Sequence, residues 1–224
     1  MIAKLLLQNL IWFGGMGVLL FVSAGTLHWP AAWVFLGTMI LLGVACGSWL
    51  ARTDPALLAE RMRMTMQPDQ PAADKMFMLA FGVAALTWLV AIGLDRRLHG
   101  SGFPLPLAGF GLAMLLLSTG FIMWVMRENS FAIPVVKVQS ERGHRVIDSG
   151  PYAWVRHPMY SGSLLFLVGT SLLLGSWWGV VMTPLLAALF AIRTGIEERA
   201  LTAGLPGYGD YTSRVRYRLI PGVW

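Results

Sequence analysis

The sequence has little charge and a single cysteine. Only 12% of its 224 residues are charged, whereas a soluble domain has about 25%. The mean hydropathy is +0.64 and 56% of the residues are hydrophobic, which excludes an ordinary water-soluble globule and a disordered chain. Cys46 can form no disulfide within the chain, which excludes a secreted disulfide scaffold. Because Cys46 lies in an apolar run, we interpret it as a small buried hydrophobe.

Common cofactor motifs are also missing. The sequence contains no Walker-type phosphate loop, no Gly-x-Gly-x-x-Gly turn after a strand and no cluster with zinc-ligand spacing. Phosphate loops, dinucleotide folds and zinc sites each depend on those residues at those spacings. We therefore predict no metal site, and we look for chemistry elsewhere.

Long uncharged runs dominate the first half of the chain. They cover residues 5–27, 31–50, 77–94 and 103–126. Each is close to the ~20 residues that a helix needs to cross a ~30 Å hydrocarbon core. A cleavable signal peptide is the alternative for the first run, but no small-residue cleavage site precedes a polar mature domain. The sequence therefore predicts four spanning helices.

The last apolar region, residues 160–192, is too long for one ordinary span. It is interrupted around Gly175 and again at Pro184. We predict a helical hairpin with arms at 161–174 and 177–192, the first of which is short for a full crossing. The predicted fold is thus an all-α polytopic membrane bundle. Residues 1–126 would hold the four spans and a cytoplasmic loop at 51–75, and residues 127–224 would form a functional core of polar linker, hairpin and C-terminal tail.

The basic residues orient this bundle. Fifteen of the 17 lysines and arginines precede the first span or follow the second, the fourth and the hairpin, whereas only Arg96 and Arg97 follow the third. The positive-inside rule then places both termini and the polar regions in the cytoplasm. We predict an integral protein of a bacterial inner membrane. Nucleic-acid binding is a poorer explanation of the isoelectric point near 10.0, because juxtamembrane basic residues suit anionic lipid headgroups.

Polar chemistry gathers first in the linker after the fourth span. Gly150-Pro151 is a turn signal, and Pro158 suits the first turn of a helix. Arg156 and His157 would then lie at the start of that helix. Free N–H groups at a helix start together with an arginine fork can bind a carboxylate or phosphate. The alternative is that Arg156 contacts lipid headgroups and His157 merely caps the helix.

The second polar cluster follows the hairpin. Glu197 and Glu198 are adjacent carboxylates near a membrane boundary, where charges need water or cationic partners. Arg193 precedes Glu197 by four residues, so the two could pair on one helix face. A solvated helix end is the alternative. The tail beyond, residues 207–219, alternates aromatic and basic side chains and could lie on the bilayer interface or fold over the cytoplasmic mouth.

Taken together, these motifs resemble the integral-membrane methyltransferases, whose members include isoprenylcysteine carboxyl methyltransferase and the phospholipid N-methyltransferases. The motifs are Gly143-His144, Gly150-Pro-Tyr152, Arg156-His-Pro-x-Tyr160 and, about forty residues later, Glu197-Glu198. The resemblance covers roughly residues 127–224. It is closest to the isoprenylcysteine-methyltransferase-like group, in part because of the final segment Tyr217-Arg-Leu-Ile-Pro-Gly-Val-Trp224.

The resemblance implies S-adenosyl-L-methionine as the methyl donor and S-adenosyl-L-homocysteine as the product. It implies a cofactor site formed by His144, Gly150, Tyr152, Arg156, His157, Pro158, Tyr160, Glu197 and Glu198, with Arg156, Arg193 and Glu197 as the catalytic residues. The Glu carboxylates could accept from ribose hydroxyls or an ammonium group, and tyrosine rings could pack against adenine or a sulfonium. We expect Arg156 and Glu197 to lie at a hydrated mouth.

The acceptor would be lipophilic, entering between the spans. Carboxyl O-methylation is the nearest activity, with Arg193 orienting an anionic acceptor. Methylation of a phospholipid or another amine, for which Glu128 and Trp124 could supply the surroundings, and methylation of a small thiol are alternatives. A non-enzymatic membrane scaffold or transporter subunit is the alternative from another class. No Asp, Glu, Lys or Arg lies in the middle of a predicted span, which argues against an ion pathway.

Overall fold

The structure is a computed structural model that describes residues 2–63, 66–67, 70–100 and 102–224. Its elements among these residues are helical, with no strand. The α-helices are α1 (Ile2–Ala24), α2 (Pro30–Thr53), α3 (Pro55–Arg61), α4 (Ala72–His99), α5 (Leu105–Glu128), α6 (Pro158–Leu174), α7 (Trp177–Gly204) and α8 (Tyr208–Arg214). Short 3-10 helices cover Ser140–Arg142 and Gly150–Ala153. The predicted all-α fold class is confirmed.

Five of these helices, α1, α2, α4, α5 and α7, are long and apolar enough to cross a membrane. They contain the four predicted spans and the second arm of the hairpin. The first arm, α6, has 17 residues, or about 26 Å of helix, and is correspondingly short. The chain turns between the two arms at Gly175, whose φ of +72° is the left-handed conformation that glycine adopts without strain.

The second arm is longer than predicted. Its apolar part was expected to end at residue 192, but α7 continues without a break to Gly204. The extension carries Arg193, Glu197 and Glu198 on a rigid helix, so their side chains project from successive turns toward the linker and the tail. Pro184 lies inside α7 and does not end it.

The region predicted as a loop at 51–75 is partly helical. α2 runs to Thr53, α3 follows at once, and α4 begins at Ala72. Asp54 and Pro55 explain why α3 begins where it does. Asp54 Oδ1 accepts a hydrogen bond from the backbone N–H of Leu57 at 2.9 Å, and Pro55 occupies the first helical position. This is a side-chain N-cap followed by proline, a local signal that the sequence carried.

A single apolar core joins the long helices. Its buried residues come from α1, α2, α4, α5, α6 and α7, with Phe35, Ile92, Leu115 and Leu186 fully buried. The helices α5 and α6 approach especially closely: a Cβ added at Gly162, near the start of α6, would lie 2.7 Å from Cγ1 of Ile122, near the end of α5. This close packing fixes the end of α5 beside the start of α6, which is where the polar linker leaves and returns.

Candidate methyl-donor site

A cavity lies where the linker, the start of α6, the end of α7 and the tail meet. It encloses about 840 Å³, its open mouth included. Six of the predicted site residues line it: His144, Tyr152, Arg156, His157, Tyr160 and Glu197. The residues lie up to 53 positions apart in the chain and are brought together by the hairpin.

At the centre of the site, His157 lies between two carboxylates. Its Nδ1 is 3.6 Å from Glu197 Oε2, and its Nε2 is 3.3 Å from Glu198 Oε1. Burial alone would lower the pKa of His157, but the hydrogen bonds and charges of Glu197 and Glu198 outweigh burial and raise it above its ordinary value. This arrangement favours an imidazolium that donates from both ring nitrogens.

Glu197 presents a free carboxylate oxygen to the cavity. Its Oε2 receives the Tyr160 hydroxyl at 2.5 Å and the His157 contact, and none of the described residues hydrogen-bonds its Oε1. The Glu197 side chain keeps 29% of its surface exposed while it lines the cavity. An oriented, ionised and partly unpaired carboxylate is suited to accept hydrogen bonds from hydroxyl or ammonium groups of a ligand.

Glu198 has a different role in the structure. Its Oε1 accepts from Arg156 Nε at 2.7 Å, and its Oε2 accepts from Arg218 Nε at 3.0 Å. Glu198 is not among the residues that line the cavity. It therefore joins α7 to the start of α6 and to the tail.

Arg156 is buried, contrary to the expected hydrated mouth. Its side chain is 8% exposed, because besides Glu198 it donates from Nη1 to the carbonyls of Val215 at 3.1 Å and Thr212 at 3.4 Å. The backbone N–H groups of Arg156 and His157 donate to the carbonyls of Tyr217 and Arg218. The Arg156 guanidinium and the N–H groups at this helix start, which were predicted to bind an anion, therefore bind the tail. They do so because the tail places carbonyl acceptors beside them.

The tail folds over the mouth of the cavity, which is one of the two arrangements that its pattern allowed. Leu205, Tyr208 and Tyr211 line the cavity. The Tyr211 hydroxyl donates to the Tyr152 carbonyl at 2.8 Å, and the Ser161 hydroxyl to the carbonyl of Leu219 at 2.5 Å. The tail is therefore a wall of the site.

Arg193 does not pair with Glu197. Its Nε lies 3.3 Å from Asp74 Oδ1, and its Nη2 donates to the Pro134 carbonyl. The predicted pair is wrong because α4 and the linker offer Arg193 a buried carboxylate and a carbonyl on its other side. Arg193 reaches the site indirectly: the centre of its guanidinium lies 5.8 Å from the centre of the Tyr160 ring.

Gly150 and Pro158 contribute to the site through the backbone conformation of the turn and of the helix start in which they lie. Gly150 has a φ of +55°, and a Cβ there would lie 2.6 Å from Glu128 Cγ, so only glycine fits this turn. Pro158 occupies the first turn of α6 as predicted. Glu128 accepts from Ser149 Oγ at 2.8 Å, which makes it part of this turn.

The linker side of the cavity is aromatic. The His144 and Phe131 rings are stacked with centres 4.4 Å apart, and the Gln139 backbone N–H donates to His144 Nδ1 at 3.2 Å. Burial lowers the pKa of His144, so its neutral form keeps Nε2 as the donor. The Asn129 side chain donates to the Tyr152 hydroxyl at 2.8 Å.

Several site residues were not found from the sequence. Asn129, Phe131 and Met159 line the cavity without belonging to a recognised motif. Asp74 accepts from the Val136 N–H at 2.8 Å and so holds the linker wall. A lone aspartate ahead of a span carries no signal of this contact; only the folded arrangement reveals it.

Comparison with known proteins shows what this chain is similar to. The sequence model of the phospholipid methyltransferase family matches residues 107–205, which include most of α5, the linker, α6 and α7. The chain resembles in particular the isoprenylcysteine carboxyl methyltransferases, and the resemblance predicted from the motifs is confirmed.

Two curated relatives and one solved structure specify that resemblance. Protein-S-isoprenylcysteine O-methyltransferase of Schizosaccharomyces pombe is 30% identical over 90 residues, 40% of this chain and 37% of the relative. The enzyme of that name from Mus musculus is 39% identical over 82 residues, 35% of this chain and 29% of the relative. The chain thus spans about a third of the length of these two relatives.

The solved structure extends the likeness to the whole bundle. The eukaryotic intramembrane Ras methyltransferase, isoprenylcysteine carboxyl methyltransferase, superposes with a TM-score of 0.57 over 96% of this chain and 75% of its own. The sequence identity is 21%, so this likeness concerns the fold.

Proposed function

We propose that this protein transfers a methyl group from S-adenosylmethionine to a lipophilic acceptor at the membrane face. The observation that carries the proposal is the cavity at Glu197. There, an oriented carboxylate with a free oxygen lies among aromatic side chains, within the part of the chain that matches a methyltransferase family. The names of the curated relatives support the same chemistry.

The residues of the cavity fit the proposed donor. Glu197 Oε1 would accept from the ribose hydroxyls or the ammonium group, and His157 would neutralise and orient that carboxylate. Tyr152 would supply an aromatic ring that attracts a sulfonium by cation–π interaction, whereas the Tyr160 ring is stacked against His157 and Phe190. His144 would donate from Nε2, and Arg156 would complete the charged end of the site while it holds the tail.

S-Adenosylmethionine supplies an already activated methyl group when bound, so the protein needs chiefly to position the reactants. Correct positioning can lower a barrier by ~7–11 kcal/mol in favourable cases. The tail and the linker would exclude water from the mouth of the cavity. Asp74 would fix the position of the linker, and Arg193 would fix that of the Tyr160 ring. In this proposal Arg193 is a positioning residue, because its guanidinium is ion-paired with Asp74 and donates to the Pro134 carbonyl.

The acceptor we propose first is a lipid-linked carboxylate, as in isoprenylcysteine methylation. It is supported by the relatives named for that reaction. The second candidate is the amine of a phospholipid headgroup, which is supported by the family model that matches residues 107–205. Both have an apolar tail that could lie among the spans while the polar head reaches the cavity.

The site would face the cytoplasm. Its walls belong to the linker, the start of α6, the end of α7 and the tail, where the basic residues gather. Arg96 and Arg97 instead lie in the last turn of α4, the end that contacts the turn between α6 and α7. The positive-inside rule supports this orientation, in which the cavity opens on the side where S-adenosylmethionine is made.

The test is methyl transfer with the purified full chain in detergent. We expect S-adenosylhomocysteine to bind in calorimetry, and radiolabelled methyl groups to appear in extracted lipids or lipidated proteins. Base-labile label would identify a methyl ester, and base-stable label an amine or a thioether. Absence of binding at millimolar S-adenosylhomocysteine would overturn the proposal and favour the scaffold.

A further inference from the structure

Four tyrosines line the cavity, and one hydroxyl among them is unused. Tyr152, Tyr160 and Tyr211 each have a hydrogen-bond partner within the protein. The Tyr208 hydroxyl is buried and has no partner among the described residues. Tyr208 as a whole is only 4% exposed, so bulk water does not serve its hydroxyl.

A buried hydroxyl without a partner is destabilising, because it has lost water and gained nothing in exchange. Phenylalanine would fill the same space without that penalty. Because Tyr208 lines the cavity, a ligand bound there is the candidate partner for this hydroxyl.

The surroundings of Tyr208 indicate which part of a ligand lies there. It packs in an apolar cluster with Leu205, Tyr211 and Val215, and with Val146 and Leu201 at its edge. This apolar part of the wall is suited to a flat heteroaromatic ring with few polar atoms.

We propose that the Tyr208 hydroxyl donates a hydrogen bond to a ring nitrogen of the adenine of bound S-adenosylmethionine. The inference rests on the proposed function, because it assigns one end of the same cavity. It makes Tyr208 a specificity-determining residue for the purine.

The test compares Tyr208→Phe with Tyr211→Phe as the matched control. Calorimetry with S-adenosylhomocysteine should show about 3- to 10-fold weaker binding to Tyr208→Phe, the size of one lost neutral hydrogen bond. The melting temperature of ligand-free Tyr208→Phe should be equal to or above that of the wild type. Tyr211→Phe should instead lower it, because the Tyr152 carbonyl loses its donor.

Deaza analogues of S-adenosylhomocysteine identify the accepting atom. Among the 1-deaza, 3-deaza and 7-deaza analogues, one should bind the wild type as weakly as S-adenosylhomocysteine binds Tyr208→Phe, and should lose nothing more in that variant. Such non-additivity is the signature of a direct contact. If every analogue loses affinity equally in both proteins, the adenine assignment is overturned.

The remaining outcomes separate this inference from the proposed function. If the wild type fails to bind S-adenosylhomocysteine, the proposed function fails. If the wild type binds it and Tyr208→Phe binds it equally well, only the inference about Tyr208 fails. A lower ligand-free melting temperature for Tyr208→Phe would also overturn it, because the hydroxyl would then have a partner within the protein.

Discussion

Carboxylates with a histidine partner lie at both ends of the helix bundle, and their surroundings differ. At the end away from the cavity, Asp95 Oδ2 accepts from the Ser176 hydroxyl at 2.7 Å and from the Trp178 N–H at 3.2 Å. Its Oδ1 lies 2.9 Å from His99 Nδ1. Both oxygens are thus occupied by the chain itself, and they tie the end of α4 to the start of α7.

At the cavity end, Glu197 uses one oxygen and leaves the other free. Both carboxylates are paired with a histidine, so the partner type does not distinguish a functional site from a structural one. The distinction lies in the unused polar atoms and in the space beside them. By that criterion Asp95 stabilises the fold, and Glu197 is available to a ligand.

The strongest test of this contrast makes the same chemical change at both ends. Glu197→Gln should weaken S-adenosylhomocysteine binding about 10- to 150-fold, because a charge-assisted hydrogen bond is worth about 1.5–3 kcal/mol. Its ligand-free melting temperature should fall by less than that of Asp95→Asn, because the amide oxygen can still accept from Tyr160 and Glu198 stays beside His157. Asp95→Asn should lower the melting temperature by several degrees, because the Ser176 and Trp178 donors lose their anionic acceptor.

Calorimetry and thermal unfolding of the two variants provide the measurement. Asp95→Asn is the control for affinity, and we expect its dissociation constant for S-adenosylhomocysteine to stay within twofold of the wild type. Equal losses of affinity in both variants would show that the two ends do not differ in the proposed way.

A smaller effect is expected at Arg156, which combines a position in the ligand site with a structural role. It lines the cavity, and it also holds the tail through Glu198, Thr212 and Val215. Arg156→Lys keeps the charge but loses the planar set of donors, so the tail should become more accessible. We expect faster cleavage by trypsin within residues 214–218 and about 3- to 10-fold weaker S-adenosylhomocysteine binding.

The control for this variant is Arg214→Lys. The pair between Arg214 and Asp148 is 63% and 48% exposed, and exposed ion pairs contribute little. Arg214→Lys also preserves the tryptic site, so its cleavage rate should match that of the wild type. An unchanged rate in Arg156→Lys would mean that the tail is held by its other contacts.

The sequence was sufficient to predict the helical fold and the residues that meet at the centre of the site. Apolar runs of span length predicted the long helices, and the motif around Arg156 and His157, with Glu197 downstream, predicted residues that meet at one cavity. Such patterns are local, or they belong to a recognised family motif. They need no knowledge of how the helices pack.

What the sequence could not predict are the contacts between distant elements. Asp74 meets Val136 across 62 positions, and Arg156 meets Val215 across 59. Such partners depend on which face each helix turns toward the linker. For the same reason the pairing of Arg193 with Glu197 was a reasonable prediction from spacing, and the burial of Asp74 decided otherwise.

The smallest expected effect concerns protonation of His157. Its folded pKa is raised above the ordinary value of about 6.5, so the charged form is stabilised by folding. That stabilisation is complete below about pH 6.5 and is lost as the pH rises through the folded pKa. Above it, a neutral imidazole donates to only one of the two carboxylates, and Glu197 and Glu198 repel each other more strongly.

We therefore expect the melting temperature of the ligand-free wild type to exceed that of His157→Gln most at pH 6, with the difference shrinking toward pH 9. Comparing the two proteins at each pH cancels the titration of distant groups, and burial lowers the pKa of His144, so this neighbour is neutral throughout most of that range. A difference that stays constant from pH 6 to pH 9 would mean that His157 is neutral in the folded protein and that Glu197 is oriented chiefly by Tyr160.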